Sequence, residues 1–490
     1  MLEVAEMLRT EVAASIPREH KSALGQFMTP LPVARFMASL FRPSATGALR
    51  LLDAGAGLGA LSCAVLDRWE QGELGEGPAA VEAHEFDSVM REHLMPTLLD
   101  YSTRCNVRVK IVSGDFIAQA PPAIFADKPH FTHAILNPPY KKMGANSEHR
   151  RLLRSLGIEV VNLYAAFVSL AMLQLSPAGQ LVAILPRSFC NGPYYRPFRE
   201  FLLQNAALRH IHLFDSRSQA FRDDEVLQEN VIVLFERAGT QGVVRISVSE
   251  DDRFADLREH TRAFAEVVLP HDPQLFIHIP TEDGASTLAN APGAQATLKD
   301  LGITVSTGPV VDFRMSIHLR AMPDGHTVPL LYPVHFAGGG VRWPIDGQKK
   351  PNAIARNIET ERWLYPAGHY TVVRRFSSKE EARRVVASVV EPADFGNPAR
   401  FGFENHLNVF HEDKRGLPPS LARGLAVYLN AKVVDDHFRR FNGHTQVNAT
   451  DLRSIRYPAR EVLEALGNWA GANPSATPEA IDAQVEAILR

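Results

Sequence analysis

The chain of 490 residues has few cysteines, no long apolar run and almost no excess of charge of either sign. Its three cysteines, Cys63, Cys105 and Cys190, are far apart and form no Cys-x-x-Cys pair, which argues against a disulfide framework or a structural zinc site. No stretch approaches the roughly 20 apolar residues of a membrane-spanning helix, and residues 1–20 have no apolar core of the signal-peptide type. We therefore expect a cytoplasmic protein with no metal site and no membrane contact.

The net charge of −3 hides an uneven distribution. Residues 301–460 hold 22 Lys and Arg against 15 Asp and Glu, whereas the rest of the chain is acidic. A basic segment on an acidic body is typical of a surface that meets a polyanion, although a solvated surface with scattered charge has the same composition. The proportions of apolar and charged residues, 45% and 22%, favour an ordered globular protein, and the length favours two or three domains.

Short apolar runs alternate with helix-length amphipathic stretches between residues 49 and 250. This alternation predicts an α/β fold, with a Rossmann-like parallel sheet, helices on both faces and ligands beyond the carboxyl ends of the strands. After residue 255 the pattern is irregular and rich in Pro, Gly and His. We predict a first domain over residues 1–255, an irregular α+β domain over 256–460, and a helical segment over 461–490 with a helix from Pro478 to Leu489. The predicted strands are Leu49–Asp53, Val81–Phe86, Val107–Val112, His133–Leu136, Gln180–Leu185, His210–Phe214 and Asn230–Phe235.

Each of the first four predicted strands ends in a glycine-rich or polar signal. Each signal alone has an ordinary structural explanation: a tight turn, a solvated carboxylate, a helix N-cap or a strand-ending turn. Together, in order and at successive strand ends, they predict a pocket for an adenosine-containing cofactor beside a clamp for a planar base that bears an amine. The signals are Asp53-Ala54-Gly55-Ala56-Gly57-Leu58-Gly59, then Glu85 with Asp87, then Gly114-Asp115-Phe116, then Asn137-Pro138-Pro139-Tyr140.

The turn Asn137–Tyr140 has the chemistry of an amine clamp. Its two consecutive prolines fix the backbone and remove two N–H donors, and a proline also forces the residue before it into an extended conformation. Asn137 is therefore held stiffly, with amide and backbone carbonyl oxygens that can accept hydrogen bonds from an exocyclic amine, and Tyr140 offers an aromatic face for stacking.

With these motifs the chain resembles the gamma class of S-adenosylmethionine-dependent DNA adenine-N6 methyltransferases, and within it modification enzymes of the PstI/BsuBI type. The segment Gly25-Gln26-Phe27-Met28-Thr29-Pro30 precedes the glycine loop, which is the order of the gamma class. Val305–Gly308, Arg374–Glu381 and Asn442–Arg453 also look like that group. The resemblance implies site-specific transfer of a methyl group to adenine N6 in duplex DNA by base flipping, in a restriction–modification system or as an orphan methylase.

The resemblance also implies roles for single residues. Asn137, Pro138, Pro139 and Tyr140 would hold the target adenine, and Phe221 would cover its other face, with Phe214 as the alternative. Residues 1–255 would be catalytic and residues 256–460 would recognise the DNA target. The expected contacts to S-adenosylmethionine are Phe27, Thr29, Asp53, Gly55, Gly57, Glu85, Asp115 and Phe116. The expected contacts to DNA are Lys141, Lys142, Arg374, Arg375, Arg384, Asn442, His444, Gln446 and Asn448.

Other interpretations stay open at this point. Arg150, Arg151 and Arg154 suit phosphate contacts or a solvated helix face. Residues 442–448 suit base recognition or a hydrogen-bonded loop that braces the two domains. The same Asn-Pro-Pro-Tyr device would serve a methyltransferase of RNA or of protein glutamine, and a DNA-binding protein could carry the domain in an inactive form. We find no Asp…Glu-x-Lys nuclease cluster, so we expect any cognate restriction endonuclease to be a separate partner.

Overall fold

The computed structural model describes residues 2–15, 28–125, 131–214, 229–270, 272–280, 288, 291–377, 381–441 and 446–490. They fall into two compact units, Met1–Glu282 and Asp283–Arg490. The division lies after the predicted limit at residue 255, because the strand Arg258–Ala263 pairs with Val243–Ser249 in the sheet of the first unit. In the described ranges, no helix combines the length and the apolar character that crossing a bilayer requires.

The described residues of the first unit form nine strands and nine helices. The strands are β1 Leu49–Ala54, β2 Ala79–Glu85, β3 Arg108–Ser113, β4 Phe131–Leu136, β5 Leu175–Pro186, β6 Ala206–Phe214, β7 Asn230–Arg237, β8 Val243–Ser249 and β9 Arg258–Ala263. The helices are α1 Leu2–Ser15, α2 Leu31–Ser39, α3 Ala60–Glu70, α4 Ser88–Cys105, α5 Phe116–Phe125, α6 Glu148–Ser155, α7 Leu163–Gln174, α8 Arg196–Asn205 and α9 Phe264–Val267. Each of the seven predicted strands is present, and the predicted α/β fold is confirmed.

The strands form one sheet in the order β3-β2-β1-β4-β5-β7-β6-β8-β9, with an apolar core on each face. Alternate side chains of a strand point to opposite faces. In β1, Leu51 packs with α2, α3 and α4, whereas Leu52 packs with α5 and α7 on the other face. The continuous apolar runs of the sequence therefore belong to strands that are covered on both sides.

Strands β1 to β5 are parallel, but β7 pairs antiparallel with both β5 and β6, and β9 pairs antiparallel with β8. The predicted all-parallel sheet is therefore a mixed sheet. An apolar run has the same pattern in either direction, so the sequence predicts the strands but not their orientation. The carboxyl ends of β1 to β5 share one edge of the sheet, and β7 begins at that edge because it runs the opposite way.

The second unit contains two smaller sheets and five helices among its described residues. Its strands are β10 Thr304–Thr307, β11 Leu319–Arg320, β12 Thr327–Leu331, β13 Ala353–Ala355, β14 Leu364–Pro366, β15 Tyr370–Arg374, β16 Ala387–Val390, β17 Arg400–Phe403 and β18 Leu407–His411. One sheet has the order β10-β18-β15-β16 and the other β11-β13-β12-β17-β14. Its helices are α10 Pro419–Leu429, α11 Lys432–Phe441, α12 Ala449–Ser454, α13 Arg460–Ala472 and α14 Pro478–Leu489, and the last of these confirms the predicted terminal helix.

Candidate active site

A cavity of about 310 Å³ lies at the carboxyl ends of β1 to β4 in the first unit. Its volume is at the lower end of the range that small-molecule sites occupy. Its wall brings together residues that are far apart in sequence but follow successive strands. Among them are Thr29, Gly55, Gly57, Glu85, Asp115, Phe116, Asn137, Pro139 and Lys141, all of them predicted site residues.

The glycine loop after β1 forms the wall through its backbone. Gly55 and Gly57 have positive φ angles of 87° and 55°, a conformation that side chains disfavour. The N–H of Gly55 donates to the carbonyl of His84 at 2.9 Å, which ties the loop to the end of β2. Helix α3 begins directly after Gly59, so its N-terminal end points toward the cavity.

Glu85 is 3% exposed and holds the two strand ends together. Its Oε2 accepts the N–H of Gly57 at 2.7 Å, and its Oε1 accepts the N–H of Asp87 at 2.8 Å. Burial raises the pKa of the Glu85 carboxyl, and these two backbone hydrogen bonds oppose that rise. A carboxylate at the end of the second strand of such a sheet is the group that accepts the hydroxyls of a ribose.

Asp115 both caps a helix and lines the cavity. Its Oδ1 accepts the N–H of Ile117 at 2.9 Å in the first turn of α5, so the N-cap interpretation of this residue is correct. Its Oδ2 forms a hydrogen bond with Nε2 of His149, on helix α6. Phe116, next to it, is 3% exposed and its ring lies 5.1 Å from that of Phe167.

Asn137 follows β4 and contacts the segment that precedes the glycine loop. Its Nδ2 donates to Oγ1 of Thr29 at 3.0 Å, and both side chains line the cavity. Pro138 is buried, and Pro139 also lines the cavity. The rigid turn is therefore held from both sides: by its own prolines and by a side chain 108 positions earlier in the chain.

Tyr140 is in the same turn but does not line the cavity in this structure. Its hydroxyl donates to the carbonyl of Ile184 at 3.2 Å, and its ring meets that of Tyr164 edge-on at 6.0 Å. Burial raises the pKa of the Tyr140 hydroxyl above its usual range. Phe221 and Phe27 lie outside the described residues, whereas the alternative Phe214 is at the end of β6, 4% exposed in the core.

Asp53 is at the end of β1 but is buried beneath the cavity wall. Its Oδ2 accepts the hydroxyl of Ser62 at 2.6 Å, and its Oδ1 has no hydrogen-bond partner among the described residues. Burial raises the pKa of this carboxyl to about 7, the Ser62 hydroxyl opposes the rise, and the negative charge of Glu85 adds to it. Asp53 is not among the residues that line the cavity, and its contact with the cofactor stays a prediction.

The residue types of the wall fit S-adenosylmethionine. A buried aromatic ring beside a carboxylate, Phe116 with Asp115, suits a purine that carries an amino group. Glu85 suits a ribose diol, and the glycine backbone leaves room that side chains would fill.

Sequence reasoning missed several residues of the wall. His149 stands beside Arg150 and Arg151 and gave no signal apart from that basic run. Phe167 lies in α7, most of whose residues are apolar, so its sequence predicts only a core residue. Arg9, on helix α1, also lines the cavity, although residues 1–20 carry no recognisable motif.

The basic residues after the turn Asn137–Tyr140 divide into two groups. Lys141 and Lys142 are exposed, and the carbonyl of Lys141 accepts the N–H of Leu163 at 2.8 Å. Arg150 and Arg154 are both paired with Glu159, the latter at 2.7 Å. The charge of these two arginines is therefore already compensated, which makes them less suited to phosphate contacts.

The predicted DNA contacts from β15 and the segment after it are mostly engaged within the second unit. Arg374 is paired with Glu381, and Arg375 donates to the carbonyl of Asn405 at 3.2 Å. Arg384 is fully buried, and its Nε donates to Oγ of Ser377 at 3.1 Å. A surface contact from Arg384 does not agree with this burial, because its guanidinium is enclosed by protein.

Asn442 and His444 lie outside the described residues, but the end of the same motif is described. Gln446 accepts from Nη2 of Arg375 at 3.4 Å. Asn448 is the N-cap of α12 in a capping box, and its backbone N–H donates to Asp451 at 2.8 Å. Asn448 therefore caps a helix, and its contact with DNA stays a prediction.

Comparison with known proteins places the chain in a family. Residues 84–221 match the family described as Eco57I restriction-modification methylase. The chain is 47% identical over 479 residues to the type II methyltransferase M.BsuBI of Bacillus subtilis, and the alignment covers 96% of this chain and 95% of that protein. It is 42% identical over 477 residues to the type II methyltransferase M.PstI of Providencia stuartii, and this alignment covers 95% of this chain and 93% of that protein.

A solved structure shares the fold at lower identity. The DrdV–DNA complex aligns with a TM-score of 0.54 and 13% identity, over 97% of this chain and 60% of that one. From its two close relatives, the chain belongs to the type II methyltransferases of restriction–modification systems.

Proposed function

We propose that the chain transfers a methyl group from S-adenosylmethionine to N6 of an adenine in duplex DNA, after that adenine has left the helix. Membership in the type II methyltransferase family makes S-adenosylmethionine the methyl donor. The observation that carries the choice of an amine as acceptor is the position of Asn137. Its carboxamide stands at the wall of the same cavity as Glu85, Asp115 and Phe116, directly after β4.

The turn presents hydrogen-bond acceptors and no strong base. Adenine N6 is a poor nucleophile because its lone pair is delocalised into the ring. Asn137 Oδ1 and the Pro138 carbonyl accept the two N6 hydrogens, which draws the nitrogen toward tetrahedral geometry and localises the lone pair. The hydrogen bond from Asn137 Nδ2 to Thr29 fixes the amide plane for this task.

Bound S-adenosylmethionine supplies an electrophilic methyl group on a sulfonium sulfur. N6 forms the new bond to carbon as the carbon–sulfur bond breaks, and positioning of the two reactants provides much of the rate. The positive charge that develops on N6 is stabilised by the two carbonyl dipoles, and the proton that N6 then loses passes to solvent.

The target adenine reaches the turn only by leaving the base stack, which costs a few kcal/mol. Stacking on an aromatic side chain returns about 1–3 kcal/mol per base. Tyr140 is the described candidate, since its hydroxyl bond to the Ile184 carbonyl fixes the edge of its ring. Phe221 is the proposed partner on the other face.

The second unit is the proposed target-recognition domain, on the strength of the basic balance of residues 301–460. The proposed place of action is the bacterial cytoplasm, at the nucleoid. We also propose that any cognate endonuclease is a separate chain. Duplex DNA incubated with the purified protein and magnesium should then stay intact, whereas cleavage would make this chain a fused restriction enzyme.

The test of the reaction is identification of the product with an Asn137→Ala variant beside it. Wild-type protein is incubated with methyl-labelled S-adenosylmethionine and duplex DNA, and the digested nucleosides are analysed by mass spectrometry. We expect N6-methyldeoxyadenosine from the wild type and none from Asn137→Ala, with DNA binding nearly unchanged. Asn146→Ala is the matched control, because Asn146 is an exposed asparagine in the loop after the same turn.

Three results would contradict the proposal. Label in RNA or in a glutamine-containing peptide, with none in duplex DNA, would assign the same device to another substrate. Methylated cytosine in place of methylated adenine would show that the target amine belongs to cytosine, with the same mechanism. Equal turnover in Asn137→Ala and the wild type would show that methyl transfer does not need the Asn137 amide.

A further inference from the structure

Helix α1 forms part of the cavity in the first unit, although its sequence carries no recognisable motif. Ala5 and Arg9, about one helical turn apart, both line the cavity. Ala5 is buried, and Leu8 packs against Leu58 of the glycine loop and Met90 of α4. The apolar side chains of α1 therefore seat the helix on the first unit, and this seating brings Arg9 to the wall of the cavity.

A shared carboxylate holds Arg9 near Thr29. Nε of Arg9 donates to Oε2 of Glu6 at 3.0 Å, and its Nη2 donates to Oε1 at 2.8 Å, so two parallel hydrogen bonds fix the guanidinium. The same Oε2 of Glu6 accepts the N–H of Leu31 at 3.2 Å, at the start of α2. Leu31 comes two residues after Thr29, which lines the cavity and accepts from Asn137. The guanidinium therefore lies beside the part of the wall to which Thr29 belongs.

The burial of Arg9 makes it a strong candidate to bind an anion in the cavity. Among the described residues of the wall, Arg9 and Lys141 carry a full positive charge at neutral pH. Lys141 is exposed, whereas the side chain of Arg9 is 14% exposed, so solvent and salt screen Arg9 less. A guanidinium also presents its donors in one plane, which matches the two oxygens of a carboxylate.

The polar groups already described suit the other parts of S-adenosylmethionine. Asp115 suits the adenine and Glu85 the ribose, and Asn137 suits the target amine. The methionine end of the cofactor, which carries a carboxylate and an ammonium group, still needs a partner. The pair of Arg9 and Glu6 has no net charge, and a neutral pair that presents donors suits such a zwitterion better than an isolated cation would.

We propose that Arg9 binds the carboxylate of S-adenosylmethionine, so that helix α1 completes the cofactor site. Glu6 is the positioning residue, because it orients the guanidinium and ties it to the start of α2. The inference rests on the cofactor of the proposed function and not on its target base.

The test compares S-adenosylmethionine with decarboxylated S-adenosylmethionine, which lacks only the carboxylate. Both dissociation constants are measured by calorimetry on the full chain, without DNA. The wild type should bind the intact cofactor at least about tenfold more tightly, since hydrogen bonds to a charged group are lost with the carboxylate. Arg9→Gln should bind the intact cofactor about tenfold more weakly than the wild type does, and the decarboxylated one within about twofold. A residue that only supports the fold would affect both ligands alike.

The matched control is Arg35→Gln. Arg35 forms an exposed ion pair with Glu3 at 3.3 Å, which also joins α1 to α2, but it does not line the cavity. Both dissociation constants should stay at their wild-type values, because exposed ion pairs contribute little. Arg9→Lys covers the case in which Arg9→Gln does not fold. It keeps the charge but lacks the planar fork, so it should favour the intact cofactor less than the wild type does.

Several results would overturn the proposal. Equal losses of affinity for both ligands in Arg9→Gln and Arg9→Lys would limit Arg9 to supporting the fold. A wild type that binds both ligands equally would show that the protein does not hold the carboxylate. A loss specific to the intact cofactor in Lys141→Gln, with none in Arg9→Gln, would assign the carboxylate to Lys141.

The same measurements separate this inference from the proposed function. If the wild type binds neither ligand, the cofactor of the proposed function fails, and the role of Arg9 fails with it. If the wild type binds the intact cofactor and Arg9→Gln binds both ligands as the wild type does, the role of Arg9 alone is refuted.

Discussion

The hydrogen bond between Asn137 and Thr29 makes a quantitative prediction about catalysis. The variant Thr29→Val keeps the shape of the side chain and removes the hydroxyl that accepts from Asn137 Nδ2 at 3.0 Å. Thr29 is 7% exposed, so little water can replace the lost acceptor. An unsatisfied buried donor costs about 1–3 kcal/mol, and because Asn137 is only half-buried we take the lower part of that range, about 1.4 kcal/mol.

The cost of the lost hydrogen bond adds to the activation free energy of methyl transfer if the Asn137 amide must keep its plane while N6 is methylated. A cost of about 1.4 kcal/mol corresponds to a tenfold lower rate constant. The assay is single-turnover methylation of duplex DNA at saturating cofactor and saturating enzyme, so that binding defects do not enter. Thr29→Ser is the matched control, because it restores the hydroxyl and should stay within about twofold of the wild type.

Two results would contradict this role of the Thr29 hydroxyl. Thr29→Val with the wild-type rate at saturating cofactor, and weaker cofactor binding only, would limit Thr29 to its predicted contact with the cofactor. Equal losses in Thr29→Ser and Thr29→Val would assign the effect to packing and not to the hydroxyl.

Two further predictions concern histidines. The variant His149→Ala should bind S-adenosylmethionine a few-fold more tightly, as measured by calorimetry. The reason is that the adenine amino group of the cofactor would no longer compete with the imidazole for the Asp115 carboxylate. Weaker binding would instead show that His149 positions that carboxylate. His210 and His212 are buried, and burial lowers the pKa of each to about 3, so the unfolded chain takes up protons below pH 6.5 that the folded chain does not. The free energy of unfolding, measured with urea, should therefore fall by about 2 kcal/mol for each histidine between pH 7 and pH 5. A variant with glutamine at both positions whose free energy of unfolding depends on pH as steeply as that of the wild type would contradict this.

The strand-end part of the site was predictable because parallel strands bring their carboxyl ends to one edge. Glu85, Asp115 and Asn137 are separate signals in the sequence, and the strand order alone places them around one cavity. The direction of β7 was not predictable, because an apolar strand has no polarity in its pattern. Likewise nothing in the sequence joins His149 to Asp115, since that contact depends on the path of the chain after the turn Asn137–Tyr140.

Predictions from charge alone were less successful in the second unit. Arg384 resembles its basic neighbours in sequence, yet it is enclosed by protein and bonded to Ser377. Burial of an arginine is rare, so a sequence-based prediction assigns it to the surface. Asn448 combines the properties of a base-reading residue and of a helix cap, and the cap follows only from the helix that begins at Ala449.

The bond between Thr29 and Asn137 also has a consequence for how the protein acquires its activity. It joins residues 108 positions apart, and the pairing of β1 with β4 that supports it is also long-range. Contacts of such separation close large loops and form late in folding. Recovery of methyl transfer after dilution from urea should therefore follow the slowest change in tryptophan fluorescence, so that a partly folded chain protects no DNA.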